Sequence, residues 1–144
     1  MIRVEPPVGL RFVHPDLDEG REAGLLCGAD GRPERVAGAV LVRQSLLLLL
    51  STLPGERVMR PEYGCELLTL AFSPNDDTTA GLAMHYVREA ITRSEPRVRI
   101  LNVSATRLPE APNVLQIRLD YQPDWGFPDS LTVGLPLDAP SVEV

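Results

Sequence analysis

The side chains that could do chemistry in this chain are few and scattered. Its only imidazoles are His14, beside Pro15-Asp16, and His85, inside an apolar-periodic run. Among 20 acids, Glu56 and Glu95 could act as a pair on a glycosidic bond if folding held them at the separation such hydrolysis needs. With that many carboxylates, pairs arise by chance. No serine sits in a nucleophile elbow and no glycine-rich loop precedes a helix, which argues against a triad hydrolase. Cys27 and Cys65, 38 positions apart, lie in no Cys-x-x-Cys or Cys/His neighbourhood, so neither zinc nor redox work is expected of them. Two buried free thiols and a reducing cytosol are the expectation. Trp125 and Phe127 read as loop anchors in preference to a sugar platform. No catalytic residue, metal ligand or cofactor is therefore expected.

One charge pair is placed more deliberately. In Glu95-Pro96-Arg97 the proline fixes its own φ and pushes Glu95 out of the helical region, so a carboxylate and a guanidinium flank a rigid corner. Taken alone, the tripeptide reads as a helix stop with two solvated charges. Its meaning depends on the elements around it.

With 144 residues, 44% hydrophobic and 24% charged, the chain has the makings of one globular domain. A domain of this size buries roughly two thirds of its unfolded surface. A net charge of −6 and a pI near 4.9 argue against nucleic-acid binding, which needs a basic face. All 14 basic residues are arginine. That suits bidentate pairing with carboxylates at interfaces, although codon bias explains it more cheaply. The N-terminus lacks a basic region followed by an apolar run, so export by the general secretory route is not expected. The most apolar stretch, Val36 to Leu53, contains Arg43, Gln44, Ser45, Ser51 and Thr52 and is too polar to span a bilayer.

The elements that must position Glu95-Pro96-Arg97 can be read along the chain. Residues 1–33 are rich in proline, glycine and acid, with apolar bursts at Leu10, Phe12 and Val13 and at Leu25 and Leu26, and read as an arm with short extended pieces. After a turn at Asp30-Gly31-Arg32-Pro33, residues 34–53 have helix-forming composition and are closed by Pro54-Gly55. The apolar residues of this first helix cover more than one face, which places it centrally. Residues 55–60 read as a short extended piece, and Arg60-Pro61-Glu62-Tyr63-Gly64 as a rigid polar turn ahead of Leu67, Leu68, Leu70 and Phe72. Ser73-Pro74-Asn75-Asp76-Asp77 supplies capping oxygens and acids for the start of a second helix. On it Leu82, Tyr86, Val87, Ala90 and Ile91 share one face, while His85, Arg88, Glu89 and Arg93 point elsewhere, as on an ordinary surface helix.

From Val98 the period changes to two. Leu115, Ile117, Leu119 and Tyr121 alternate with polar residues, and Leu131, Val133, Leu135 and Leu137 repeat the pattern, giving half-buried antiparallel strands. In residues 98–108 the apolar phase slips, which predicts a bulge near Ile100. Residues 109–113 and 123–129 read as connecting loops, and 139–144 as a loose end or a strand that orders only in a complex. The fold class is α+β: two main helices on an antiparallel sheet of three to four strands, with residues 1–33 as an arm, 34–138 as the domain and 139–144 as a tail. Such a sheet leaves an edge where a foreign strand could add.

Three motifs occur in a fixed order: residues 50–65, with Pro54-Gly55-Glu56-Arg57 and Arg60-Pro61-Glu62-Tyr63-Gly64-Cys65, then Phe72-Ser73-Pro74-Asn75-Asp76, then Glu95-Pro96-Arg97. Together they resemble the baseplate wedge family of contractile tails, which includes phage sheath initiators, a type VI secretion baseplate component and its counterpart in extracellular injection particles. The resemblance runs over roughly 34–137. It implies a structural, non-enzymatic role: joining the wedge and starting the sheath, with strands that imitate those of the sheath. It also implies contacts with other wedge subunits, with first-ring sheath subunits and with tube or hub proteins, in six copies per particle assembled in the cytoplasm, without nucleic acid or membrane insertion. Glu95, Pro96 and Arg97 match the family's contact residues, and Arg57 and Tyr63, with Glu56, join them as candidate anchors, since Arg and Tyr combine contact area with directed hydrogen bonds. Gly55, Pro61 and Gly64 are expected to shape the turn, and Glu56 and Arg57 could simply pair within the fold. Loss of Glu95 or Arg97 is expected to leave the monomer folded and stop assembly. Two other readings stand beside this one: a cell-wall glycosidase using Glu56 and Glu95, and an adaptor that reuses the fold.

Overall fold

The computed structural model describes residues 6–13, 24–139 and 142–143. In chain order the elements are β1 (Val8–Leu10), β2 (Phe12–Val13), β3 (Gly24–Leu25), β4 (Arg35–Ala37), α1 (Gly38–Ser51), a 3-10 helix (Glu66–Leu70), α2 (Asp77–Ser94), β5 (Val98–Leu108), β6 (Ala111–Pro123) and β7 (Asp129–Pro136). The α+β class expected from the sequence is the one observed. An antiparallel sheet β5-β6-β7 lies against the two helices, and two small antiparallel pairs, β1-β4 and β2-β3, pack beside α1.

The period-two pattern fixes the inner face of the sheet. Leu115, Ile117, Leu119 and Tyr121 on β6 and Leu131, Val133 and Leu135 on β7 are buried, against Leu46, Leu49 and Leu50 of α1 and Ala83, Val87, Ala90 and Ile91 of α2. The small alanines let α2 approach β5 closely. Leu82 departs from the expected buried face and is 39% exposed, because the stripe that meets the sheet runs through Thr79, Ala80 and Ala83. The bulge expected near Ile100 falls between Ile100 and Asn102. The first loop is shorter than expected: β6 begins at Ala111, so only Pro109 and Glu110 link β5 to β6.

Helix α1 starts at Gly38 instead of residue 34. Residues Arg35–Ala37 pair in register with Val8–Leu10, and Gly38, at φ +62, turns the chain from strand into helix. Helix propensity cannot see a partner strand 27 positions upstream. Residues 55–60, expected to be extended, form turns, with the Arg60 amide donating to the Arg57 carbonyl at 3.2 Å.

The described part of 1–33 lies on the domain. Gln44 of α1 accepts from the Phe12 amide (3.0 Å) and donates to the Leu10 carbonyl (2.9 Å), so a helix side chain satisfies the backbone where β1 passes into β2. Val13 is fully buried. Cys65 is buried, but Cys27, expected to be buried too, is exposed at an isolated bridge with Pro33. At the other end, Glu143 exchanges two hydrogen bonds with Gly134 (2.6 and 2.8 Å) and Val142 joins the core. The tail thus pairs with β7 within the single chain, where the sequence suggests a loose end or a strand ordered only by a partner.

Candidate functional site

The corner at the end of α2 is built by the chain's own chemistry. Glu95 caps the helix at φ −131, its amide still donating to the Ile91 carbonyl at 2.8 Å, and Pro96 forbids a further turn. Glu95 is 7% exposed, so the reading of two solvated charges is wrong for this residue. A carboxylate so buried needs donors. Arg97 supplies both, with Nε to Oε1 at 2.6 Å and Nη2 to Oε2 at 3.0 Å. The fork raises the Arg97 guanidinium further above its ordinary value, chiefly through the hydrogen bonds to Glu95. The Arg97 carbonyl accepts from the Asp124 amide at 3.0 Å, and its guanidinium lies 6.0 Å from the Trp125 ring.

The turn of residues 54–64 leans against this corner. Its base is closed by the Cys65 amide donating to the Thr52 carbonyl (2.8 Å) and by the Gly55 amide donating to the Pro61 carbonyl (3.0 Å). Gly64, at φ +136, leaves no room for a side chain: a Cβ there would stand 2.6 Å from the Thr52 carbonyl oxygen and 2.7 Å from the Pro54 nitrogen. Gly55 is also left-handed, at φ +91. Glu56 does not pair with Arg57; its Oε2 accepts from the Leu53 amide at 2.8 Å. Arg57 instead stacks over the Tyr63 ring, 4.2 Å from its centroid. Burial raises the Tyr63 phenol, with the Arg57 charge opposing and the Glu95 charge adding to the shift.

Arg57, Tyr63, Glu95 and Arg97 therefore meet at one end of the molecule. Arg93, which sequence reading set aside as merely pointing outward, ties the two motifs together by donating from Nη2 to the Gly64 carbonyl at 3.2 Å while pairing with Glu89. Its spacing of four from Glu89 was the only signal available. The remaining motif stands elsewhere. Asp76 caps α2 through the Thr79 amide at 2.8 Å, a bond that lowers its carboxyl below the ordinary value, and Arg107 pairs with Asp77 beside it. This lies at the opposite end of an 18-residue helix, about 27 Å away.

The remaining chemical candidates do not converge. Glu95 is held by Arg97 and Glu56 by a backbone amide, which leaves neither presented as a free pair. His85 is exposed beside Glu89, and His14 lies outside the described residues. Trp125 packs partly against the core, whereas Phe127 is exposed and anchors nothing among the described residues. Among those residues no three His, Cys, Asp or Glu side chains gather in a metal-binding group, and no helix is long and apolar enough to cross a membrane.

Comparison with solved structures finds the same architecture repeatedly. A Geobacter sulfurreducens protein described as a candidate tail lysozyme is 30% identical over 81% of this chain and 98% of its own, with a TM-score of 0.62. A chain of the anti-feeding prophage baseplate is 25% identical over 81% of this chain and 86% of its own, at a TM-score of 0.67. A chain of the type VI secretion baseplate complex, 15% identical over 69% of this chain and 91% of its own, shares the fold at a TM-score of 0.51. Comparison with curated proteins gives no match. The family model described as baseplate wedge protein gp25 matches residues 37–126, well over half of the sequence and inclusive of the turn, the helix cap and the Glu95 corner. The chain belongs to this baseplate wedge protein gp25 family.

Proposed function

We propose that this chain, a structural baseplate component by its family, docks onto neighbouring wedge subunits through the Arg57, Tyr63, Glu95 and Arg97 corner and starts the sheath from its sheet. The observation that carries the docking role is the convergence of two motifs distant in sequence on one rigid surface: Arg57 stacked on Tyr63, and Arg97 forked onto a buried Glu95. Arginines fixed by stacking or forking lose little freedom on binding and still present outward donors. Pro96 is exposed between them, and Glu56 holds the turn that carries Arg57. The sheet supports the second role, because β5 is an edge strand whose outer side pairs with no other strand among the described residues. An edge of this kind accepts an extended segment from another subunit. Six copies per particle, assembled in the cytoplasm, complete this reading, with first-ring sheath subunits and tube or hub proteins as further neighbours.

The test replaces Arg57 by Glu and Arg97 by Lys in the native particle. Arg97→Lys keeps a charge for Glu95 and loses the fork. Both variants are expected to purify as folded monomers while sheathed particles fall at least tenfold by electron microscopy. Normal particle numbers in both would remove the docking role.

A second reading comes from the Geobacter relative's description as a tail lysozyme. In this chain the engagement of Glu95 by Arg97 and of Glu56 by the Leu53 amide supports a non-enzymatic role. Purified protein is expected to release no soluble fragments from peptidoglycan; release that disappears in Glu56→Gln would establish the enzyme instead.

A further inference from the structure

We propose that the turn of residues 54–64 presents Val58 and Met59 as an apolar plug for a socket, rimmed by carboxylates, on another baseplate subunit. The inference rests on the docking reading and names what the turn displays. Val58 is 89% and Met59 92% exposed, side by side at the tip. A single exposed apolar side chain is ordinary. Here two adjacent ones are held out by a frame with little slack.

Pro54 and Pro61 fix φ on both arms, and the Gly55 amide bridges them by donating to the Pro61 carbonyl. The Arg60 amide closes the tip onto the Arg57 carbonyl at 3.2 Å, and the Tyr63 amide donates to the Arg60 carbonyl at 3.1 Å. Met59 itself sits at φ +62, a left-handed conformation that side-chain-bearing residues disfavour. Such an outlier persists only where its surroundings over-determine it. The turn has therefore surrendered its freedom before any partner arrives, which favours tight docking. Methionine, unbranched and polarizable, fits irregular sockets well.

Charge specifies the socket. Arg57 and Arg60 immediately flank the apolar pair, in a chain whose net charge is −6. Carboxylates around an apolar hole would meet both guanidiniums and could accept forked hydrogen bonds. An anionic membrane would also attract an arginine-flanked tip. Glu56 and Glu62 nevertheless leave the turn neutral overall, so a uniformly anionic surface gains little from it whereas carboxylates placed opposite Arg57 and Arg60 alone do, and two side chains offer little area for stable membrane anchoring. The turn also adjoins the Glu95 corner through Tyr63, so one protein partner could cover both.

The experiment co-expresses the full chain with the wedge and sheath subunits of its native particle and measures complex formation by size exclusion. The variant Val58→Ser/Met59→Gly removes the plug, and glycine keeps the left-handed backbone, so its thermal melt should match the wild type. We expect at least a tenfold loss of complex, and a comparable loss in Arg57→Glu/Arg60→Glu. Complex at wild-type level in Val58→Ser/Met59→Gly, with Arg97→Lys impaired, overturns the plug and leaves the corner standing. Failure of the wild-type chain to join any of these subunits overturns the docking reading and the plug with it. Vesicles of phosphatidylcholine and phosphatidylglycerol form the remaining arm: sedimentation that depends on Val58 and Met59, with the protein complex unchanged, assigns the tip to a membrane and also overturns the plug.

Discussion

Glu95 and Arg97 show how burial changes the meaning of a charge pair. The carboxylate is inside and the guanidinium partly outside, with side-chain exposures of 9% and 38%. Arg97→Ala strands a buried acceptor, which we expect to cost about 1–2 kcal/mol, less than for a fully buried pair because water reaches the arginine side. The loss of Glu95 or Arg97 is thus expected to lower stability while leaving the monomer folded. The double variant Glu95→Ala/Arg97→Ala should recover part of the loss, giving a coupling of about 1 kcal/mol in urea denaturation. Additive single losses would show that the clasp is not a unit. Cys65 supplies a pH dependence. Burial pushes its thiol from 9.0 up to about 11, so the folded state prefers the protonated form. That contribution is complete below pH 9 and is lost as pH rises through 11, up to about 2 kcal/mol. Tyr63 and Tyr121, also raised chiefly by burial, add in the same direction at higher pH. The urea midpoint should fall between pH 9 and about 11, and fall less in Cys65→Ala.

At the scale of elements, Gln44 carries a role that no periodicity announces. Its amide takes the place of a missing strand, bonding both Phe12 and Leu10. Gln44→Ala leaves the part-buried Phe12 amide without its acceptor and returns the exposed Leu10 carbonyl to water, for an expected loss of about 1 kcal/mol. The loss should be local. Amide exchange at Phe12 and Val13 should quicken at least tenfold while Val87 and Ile91 in α2 keep their protection; uniform loss would contradict the local role. The helices and long strands were legible because each repeats a period over many residues: the cap Ser73 to Asp77, the inner faces of β6 and β7, and the slip near Ile100. The turns of residues 55–60 and the strand of residues 35–37 were not, since short segments take their conformation from what they face.

For the molecule as a whole, described residues near both termini pack onto the domain: 8–13 beside α1, and Val142 and Glu143 beside β7. Val142 is 3% exposed, and Glu143 covers Gly134 on the outer side of β7. A chain ending at Ala139 should lose about 1–2 kcal/mol from Val142 alone and expose more of an edge strand. Lower denaturation midpoint with concentration-dependent light scattering would follow; an unchanged midpoint would show that the tail adds nothing. With β7 guarded in this way, β5 is the more open edge for an added strand.

By itself the sequence determined the class of fold and the family, because periodicity and the order of three motifs survive without knowledge of contacts. It also determined the corner at Pro96, since proline acts on its own backbone. Only the tertiary structure decided that Glu95 is buried, that Arg57 turns to Tyr63 and not to Glu56, and that Val58 and Met59 stand in solvent. Burial and partner choice depend on which distant segments meet, and no local spacing encodes how the turn of residues 54–64 comes to rest against the end of α2.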